Sequence, residues 1–383
     1  MTRPAEMGPY ALARVLARTT NPGTGHRLRA DIYYPGLDGA LDPRGAPYPA
    51  LVFAHGFLAT PFMYSGNGRH LASWGYVVAI PDFPDEDVEL RASDVGHLFS
   101  CLEALNADED SRFFQQIDAR RFGLVGHSLG GLTTMMVSAR DVRVKAAVAL
   151  DPVRPPGVWR KGSWDYRAEG PGLSAPLAVI AAPAQRCNLF ANYRKMYAAA
   201  GSSHKAQYVL VNGSHCDYMD VPSSHHFAVE TCSRLCGKAF SEERLRLVER
   251  YTTAWFNYYL KADTAGYDHI FGAGLSDDVQ AERIVADIAT APGGLKAEAA
   301  GSGVHLTWSA YDILPVAGYH IYRAETEGQF GEQPLASGGR LGTYVDASAV
   351  PGHTYFYALA SYDPAGQEHG RALAGPVTIP LRV

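Results

Sequence analysis

Apolar residues are distributed in two different ways along this chain. In its first two thirds they gather in short unbroken runs, at 50–54, 76–80, 122–125, 145–150, 176–181 and 207–211. Runs of that length without alternation predict strands buried on both faces. Residues 28–34 alternate instead and predict an edge strand, ended by Pro35-Gly36, while Pro81 ends the strand at 76–80 and 207–211 is the last of the set. Helical patterns fall between, over 93–105, 129–139 and 241–260. The last carries Leu245, Val248, Tyr251, Thr252, Trp255, Tyr258 and Tyr259 along one broad face. Strands alternating with helices predict an α/β fold, a mostly parallel sheet with helices on both faces. Ligands bind such sheets beyond the carboxyl ends of the strands.

The pattern changes after Ala291-Pro292-Gly293-Gly294. Residues 304–308, 318–323, 343–346 and 354–360 alternate over short stretches separated by turns rich in Gly, Pro and Ser. That predicts an all-β sandwich with Trp308 in its core. The organisation expected is therefore a first domain over 1–262, a looser linker over 263–292 and a sandwich over 293–383.

Composition narrows the function. The chain has 383 residues and a net charge of −5, with no basic stretch of the kind that binds nucleic acid. No apolar run is long enough to span a membrane, and residues 1–10 lack the apolar core of a signal peptide. Four of the five cysteines, Cys187, Cys216, Cys232 and Cys236, fall close together. Cys232-x-x-x-Cys236 has the look of half a metal site, but no second Cys/His pair follows at finger spacing. One or two disulfides are expected instead, with the pairing open, which favours a secreted or periplasmic protein over the cytoplasmic alternative.

The chemistry centres on Arg121-Phe122-Gly123-Leu124-Val125-Gly126-His127-Ser128-Leu129-Gly130-Gly131. A buried strand runs into Gly-x-Ser-x-Gly and then into an apolar helix, which is the context a nucleophile elbow needs. Ser128 requires a base, and the base requires an acid to hold its tautomer. His215, in the loop after the last strand, is the expected base. His204, His225 and His226 are its rivals, the first lying before the last strand and the others in a Ser-rich loop. Residues 177–188, where most hydrolases of this order carry the acid, contain no carboxylate. Asp151, 23 residues after Ser128 at the tip of the preceding strand, is the expected acid. Asp217 and Asp220 lie too close to His215 in sequence.

An oxyanion hole needs backbone N–H groups aimed at the developing charge. Leu129, after the nucleophile, and Phe57, in His55-Gly56-Phe57 after the 50–54 strand, are the expected donors. Phe57, Leu58, Val153, Trp159 and Trp164 are the expected substrate-binding residues. Both tryptophans lie in an insertion over 152–172, with Tyr166 and several Arg and Lys, placed to form a lid or an acyl-pocket wall. His55 and His127 are expected to be structural. The chemistry needs no metal or organic cofactor, and the expected partner is a small-molecule or polymeric ester met by a monomer.

These residues resemble the α/β-hydrolase superfamily, and within it the chlorophyllase- and cutinase-like serine esterases. The resemblance runs through His55-Gly56-Phe57-Leu58, Gly75-Tyr76-Val77-Val78-Ala79-Ile80-Pro81, Gly126-His127-Ser128-Leu129-Gly130-Gly131 and Leu150-Asp151-Pro152-Val153. It covers residues 8–262 and implies the α/β-hydrolase fold with an esterase triad at Ser128, Asp151 and His215. The acid position is similar to that of platelet-activating-factor acetylhydrolases. Polyester-degrading cutinases carry theirs in the later loop, where this chain has none. Residues 293–383 resemble a fibronectin type III domain through Leu306-Thr307-Trp308, Tyr319-His320-Ile321-Tyr322-Arg323 and Thr354-Tyr355-Phe356-Tyr357. The function expected is a serine carboxylester hydrolase. Its alternatives are a polyester hydrolase that uses the sandwich to grip a surface, and a non-catalytic binding protein on a hydrolase shell.

Overall fold

The computed structural model describes residues 4–37, 40–153, 164–220, 226–263, 265–290, 293–300, 303–309, 317–339, 342–362, 366 and 368–380. They divide into two compact units. Met1–Ser202 and Gln207–Asp287 form one, and Ser203–Ala206 and Ile288–Val383 the other.

The first unit is built on β1 (Leu12–Thr20), β2 (Arg27–Leu37), β3 (Ala40–Leu41), β4 (Tyr48–Ala54), α1 (Ser65–Ser73), β5 (Val77–Asp82), α2 (Val88–Ala107), β6 (Ile117–His127) and α3 (Leu129–Arg140). It continues with β7 (Val144–Leu150), α4 (Tyr166–Glu169), β8 (Leu177–Ala181), α5 (Tyr193–Ala199), the larger part of β9 (His204–Leu210), α6 (His226–Cys236), α7 (Glu242–Lys261), α8 (Ala265–Ile270), α9 (Ala273–Gln280) and the larger part of β10 (Ile284–Thr290). One sheet runs in the order β1-β2-β5-β4-β6-β7-β8-β9-β10, with β3 paired to β2. From β5 to β8 the neighbours are parallel, while β1, β2 and β5 pair antiparallel. The unbroken apolar runs explain the centre: Ala50 to Ala54 of β4 and Phe122 to Val125 of β6 are buried on both faces and pair Val52 with Leu124.

Three expectations need correction. The strand at 28–34 is not the edge, because β1 pairs along its whole length and takes that place. Its inward Ala13, Val15, Ala17 and Thr19 are too small to announce a strand by hydrophobicity. The strand at 76–80 does not stop at Pro81, which pairs opposite Ala30 near the end of β5, where a missing N–H is tolerated. The strand at 207–211 is not the last, since β10 follows it in the sheet. Residues 263–292 carry α8, α9 and β10. The helix expected at 241–260 is α7, capped by Ser241 Oγ, with Leu245, Val248, Tyr251, Thr252 and Trp255 buried and Tyr258 and Tyr259 half-buried.

In the second unit, β11 (Gly293–Ala300), β12 (Gly303–Ser309), β13 (Gly318–Ala324), β14 (Ala336–Gly338), β15 (Thr343–Asp346), β16 (Thr354–Tyr362) and β17 (Glu368–Thr378) form two antiparallel sheets. Their orders are β11-β12-β15 and β14-β13-β16-β17. Trp308 of one sheet packs edge-on against Tyr319 of the other, with ring centroids 5.4 Å apart. The buried Asp346 carboxylate ties them again, accepting from Arg323 and Tyr357 at 2.8 and 2.7 Å.

Candidate active site

The turn between β6 and α3 places Ser128 at φ +57°, ψ −117°, in the left-handed half of the map where a non-glycine residue is strained. The turn closes only because its flanks are small. A Cβ on Gly126 would lie 2.4 Å from Gly130 O, and one on Gly130 would lie 2.0 Å from Ala54 O. Ser128 N donates to Leu150 O, and Val153 N donates to Ser128 O. The elbow is thereby tied to the chain that carries Asp151.

The fold brings together residues far apart in sequence. His215 Nδ1 lies 2.6 Å from Asp151 Oδ2, and His215 Nε2 lies 3.0 Å from Ser128 Oγ. A carboxylate can only accept, so Nδ1 carries the proton and Nε2 is left to accept from the hydroxyl. Asp151 is fully buried at the tip of β7, with φ +38°. Its other oxygen, Oδ1, accepts from Asn188 Nδ2 at 2.7 Å and Ala182 N at 3.2 Å.

Sequence reasoning missed Asn188. It stands in the loop after β8, the place searched there only for a carboxylate, and an asparagine gives no such signal. Gln185 of the same loop was also missed; its Oε1 accepts from His215 N at 3.1 Å. Two disulfides, Cys187–Cys236 and Cys216–Cys232, anchor the neighbours of Asn188 and His215 to α6. Asp217 accepts from Ser214 N at 2.6 Å, Ser241 N at 2.8 Å and the Arg244 guanidinium, so it clamps the histidine loop to the start of α7. Asp220 O accepts from Gly66 N, and burial pushes its carboxyl pKa up. His204 begins β9, His226 begins α6, and His225 lies outside the described residues.

The loop after β4 is held on both sides of Phe57. His55 Nε2 accepts from Phe83 N at 3.2 Å, so its Nδ1 carries the proton and donates to Gly56 O at 2.8 Å. Gly56 N donates to Tyr64 Oη, and Leu58 N donates to Glu86 Oε1 at 2.9 Å. Arg91, wholly buried, donates to His55 O and Asp85 O and pairs with Glu86. Arg91 and Glu86 belong to a segment that reads as an ordinary helix start, and nothing in their spacing marks them. His127 shares a 2.7 Å hydrogen bond with Tyr64 Oη and stacks on Tyr218.

Of the remaining candidates, Leu129 and Val153 lie at the elbow. Leu129 opens α3, so its N–H has no carbonyl one turn earlier in the helix. Val153 is buried beside the elbow, and Phe57 and Leu58 are exposed. Trp164 is buried in the hydrophobic core and packs edge-on against Tyr166. Trp159 and most of the insertion lie outside the described residues.

Comparison with known proteins places the chain in a family. A family model described as PET hydrolase-like matches residues 4–282. The chain belongs to that family. It is 25% identical to the cutinase est1 of Thermobifida alba over 274 residues, which cover 68% of this chain and 78% of that protein. With cutinase 2 of Thermobifida cellulosilytica the identity is 23%, over 69% of this chain and 90% of the relative. With a bis(hydroxyethyl) terephthalate hydrolase of Streptomyces coelicolor it is 24%, over 67% and 69%. This PET hydrolase-like chain thus combines a cutinase-like α/β-hydrolase domain with additional C-terminal β sheets. No helix among its described residues is long and apolar enough to cross a membrane.

Three buried histidines of the first unit bear on its stability against acid. Burial holds His55 at about 3 and His70 at about 4, and keeps His127 well below the ordinary range. All three are neutral when folded and take up a proton on unfolding once the pH falls below the ordinary histidine value of 6.5. The unfolded state then binds more protons, and acid destabilises the fold. Burial pushes Glu249 up to about 8, which acts oppositely between the ordinary glutamate value of 4.5 and that value. From pH 7 to 5 His55 and His70 each remove on the order of 2 kcal/mol and His127 adds to the loss, while the raised carboxyls of Glu249, Asp217 and Asp220 return part of it, so acid is expected to lower the unfolding free energy. Denaturant unfolding at the two pH values checks this; an unchanged free energy contradicts it.

Proposed function

We propose that this chain is a serine carboxylester hydrolase that cleaves apolar esters through an acyl-enzyme. Ser128 Oγ attacks the ester carbonyl while His215 Nε2 takes its proton, and Asp151 holds His215 in the tautomer that can do so. The carbonyl oxygen becomes an oxyanion held by the N–H groups of Leu129 and Phe57, the first with the α3 N-terminus behind it. His215 then passes the proton to the departing alcohol. Water, activated by the same histidine, releases the acid and restores Ser128. The observation that carries this reading is the unbroken chain Asp151–His215–Ser128, at 2.6 and 3.0 Å, ending on a strained elbow. A chain-length series of p-nitrophenyl esters tests it: turnover with a preference among acyl lengths is expected, and folded protein that turns over none of them removes the proposal.

Asn188 acts on this reaction through Asp151. A hydrogen bond to a charged group is worth about 1.5–3 kcal/mol, so Asn188→Ala is expected to lower kcat about ten- to a hundredfold. KM should stay close to that of the parent. An unchanged kcat would reduce Asn188 to a packing role.

A polyester substrate is the second reading, supported by the names of the relatives and by apolar side chains left exposed. Phe57, Leu58 and Phe62 follow β4, Leu189 and Phe190 follow Asn188, and Phe227 is the second residue of α6. They flank the segments that carry the site, and apolar surface of this kind suits an insoluble apolar ester. The C-terminal sheets fit a fibronectin type III-like module that grips such a surface. Adsorption to a polyester film by the full chain, lost without residues 293–383 while soluble-ester turnover persists, is the result this reading requires. Two disulfides support an extracellular or periplasmic setting.

A further inference from the structure

Cys232 and Cys236 lie one turn apart on α6, and their sulfurs are 3.9 Å from each other although each is bonded elsewhere. The sulfur of Cys216 joins them, all three lying within 4.8 Å of one another. Cys187 is bonded to Cys236, so four sulfurs from three segments converge. In the sequence, Cys232-x-x-x-Cys236 has no second pair at metal-site spacing. The fold supplies one, Cys187 from the loop after β8 and Cys216 from the loop after β9.

We propose that reduction of the two disulfides converts this cluster into a four-thiolate site for one thiophilic divalent ion of the zinc class. Four thiolates around such an ion, with bonds of about 2.3 Å, stand about 3.8 Å apart. Cys232 and Cys236 already have that separation. The bonded pairs have Cα atoms 5.0 and 6.0 Å apart, close enough for side-chain rotation to spread their sulfurs around an ion. Two molecules of a dithiol reductant supply the electrons. Each gives two electrons and two protons to one S–S bond, which breaks into two thiols, and closes into its own cyclic disulfide. The ion then displaces four protons, and the complex carries a net charge of −2. Arg186, whose side chain lies against Gly237 next to Cys236, places a positive charge beside it. The ion would tie the segments the disulfides tie, next to His215 and Asn188, and so keep the base and the acid's partner in place in the reduced protein.

The full chain, reduced with a dithiol and desalted without air, is titrated with Co2+. The expected result is saturation at one ion per chain, with thiolate-to-cobalt charge transfer, the strong visible bands of a tetrahedral centre and release of four protons. Cys101, the remaining cysteine, contacts His97 and Thr19 instead, and Cys101→Ser should leave the titration unchanged. The double variant Cys216→Ser, Cys232→Ser keeps the Cys187–Cys236 bond during purification and should lose the tetrahedral bands after reduction. Absence of charge transfer in the reduced parent chain, folded or not, overturns the proposal. So does an undiminished signal in the double variant.

Discussion

Asp151→Asn is expected to lower kcat/KM for a p-nitrophenyl ester by about 10⁴-fold, the loss seen when a triad acid becomes an amide. The carboxylate is fully buried, and both its oxygens accept hydrogen bonds, from His215 on one side and from Asn188 and Ala182 on the other. An amide is almost the same shape, so packing is kept. It must, however, present either its oxygen or its NH2 to His215. Its oxygen cannot serve His215 on one side and the two donors on the other. If its NH2 faces the ring, the proton moves to Nε2, and the nitrogen facing Ser128 can no longer accept. The loss should fall on kcat, with a far-UV spectrum like that of the parent. A loss under tenfold would move the acid elsewhere, and Asp217, already engaged by Ser214, Ser241 and Arg244, would then have to be tested.

Ser128→Ala is expected to reduce kcat by about 10⁶-fold, because Ser128 is the group proposed to carry the acyl intermediate. The substitution removes one oxygen. Alanine at φ +57° is about as strained as serine, so the elbow should persist with the fold unchanged. The backbone donors and the pocket remain, leaving a residual rate above that of water. The steady-state rate and the pre-steady-state burst should vanish together. A variant that keeps the burst would show that another nucleophile takes the acyl group.

The parts of this molecule that were legible in the sequence are those where local pattern and fold agree. Continuous apolar runs marked β4, β6, β7 and β8, because strands buried on both faces leave no choice of residue type. Gly126, Ser128 and Gly130 marked the elbow, because only small residues fit where a Cβ would meet Gly130 O and Ala54 O. Asp151 and His215 were legible through strand order, since a residue just past a strand's carboxyl end has its position fixed by the sheet. What was illegible acts through contacts that no spacing encodes. Arg91 reaches back 36 residues to His55 O, and Asn188 reaches 37 residues to Asp151. The edge strand β1 was missed because its inward side chains are small, and β10 because it follows two short helices in a stretch of weak periodicity. The cysteine pairing needed the fold as well: Cys216 bonds Cys232, 16 residues on, and Cys187 bonds Cys236, 49 residues on, because α6 lies across both loops.

The most direct test is covalent. Treated with a fluorophosphonate, which reacts only with a serine activated by a neighbouring base, the folded chain is expected to gain one adduct. Peptide mass spectrometry should place it on Ser128, and His215→Ala should abolish it. An adduct on another serine, or none on the folded protein, would contradict the account.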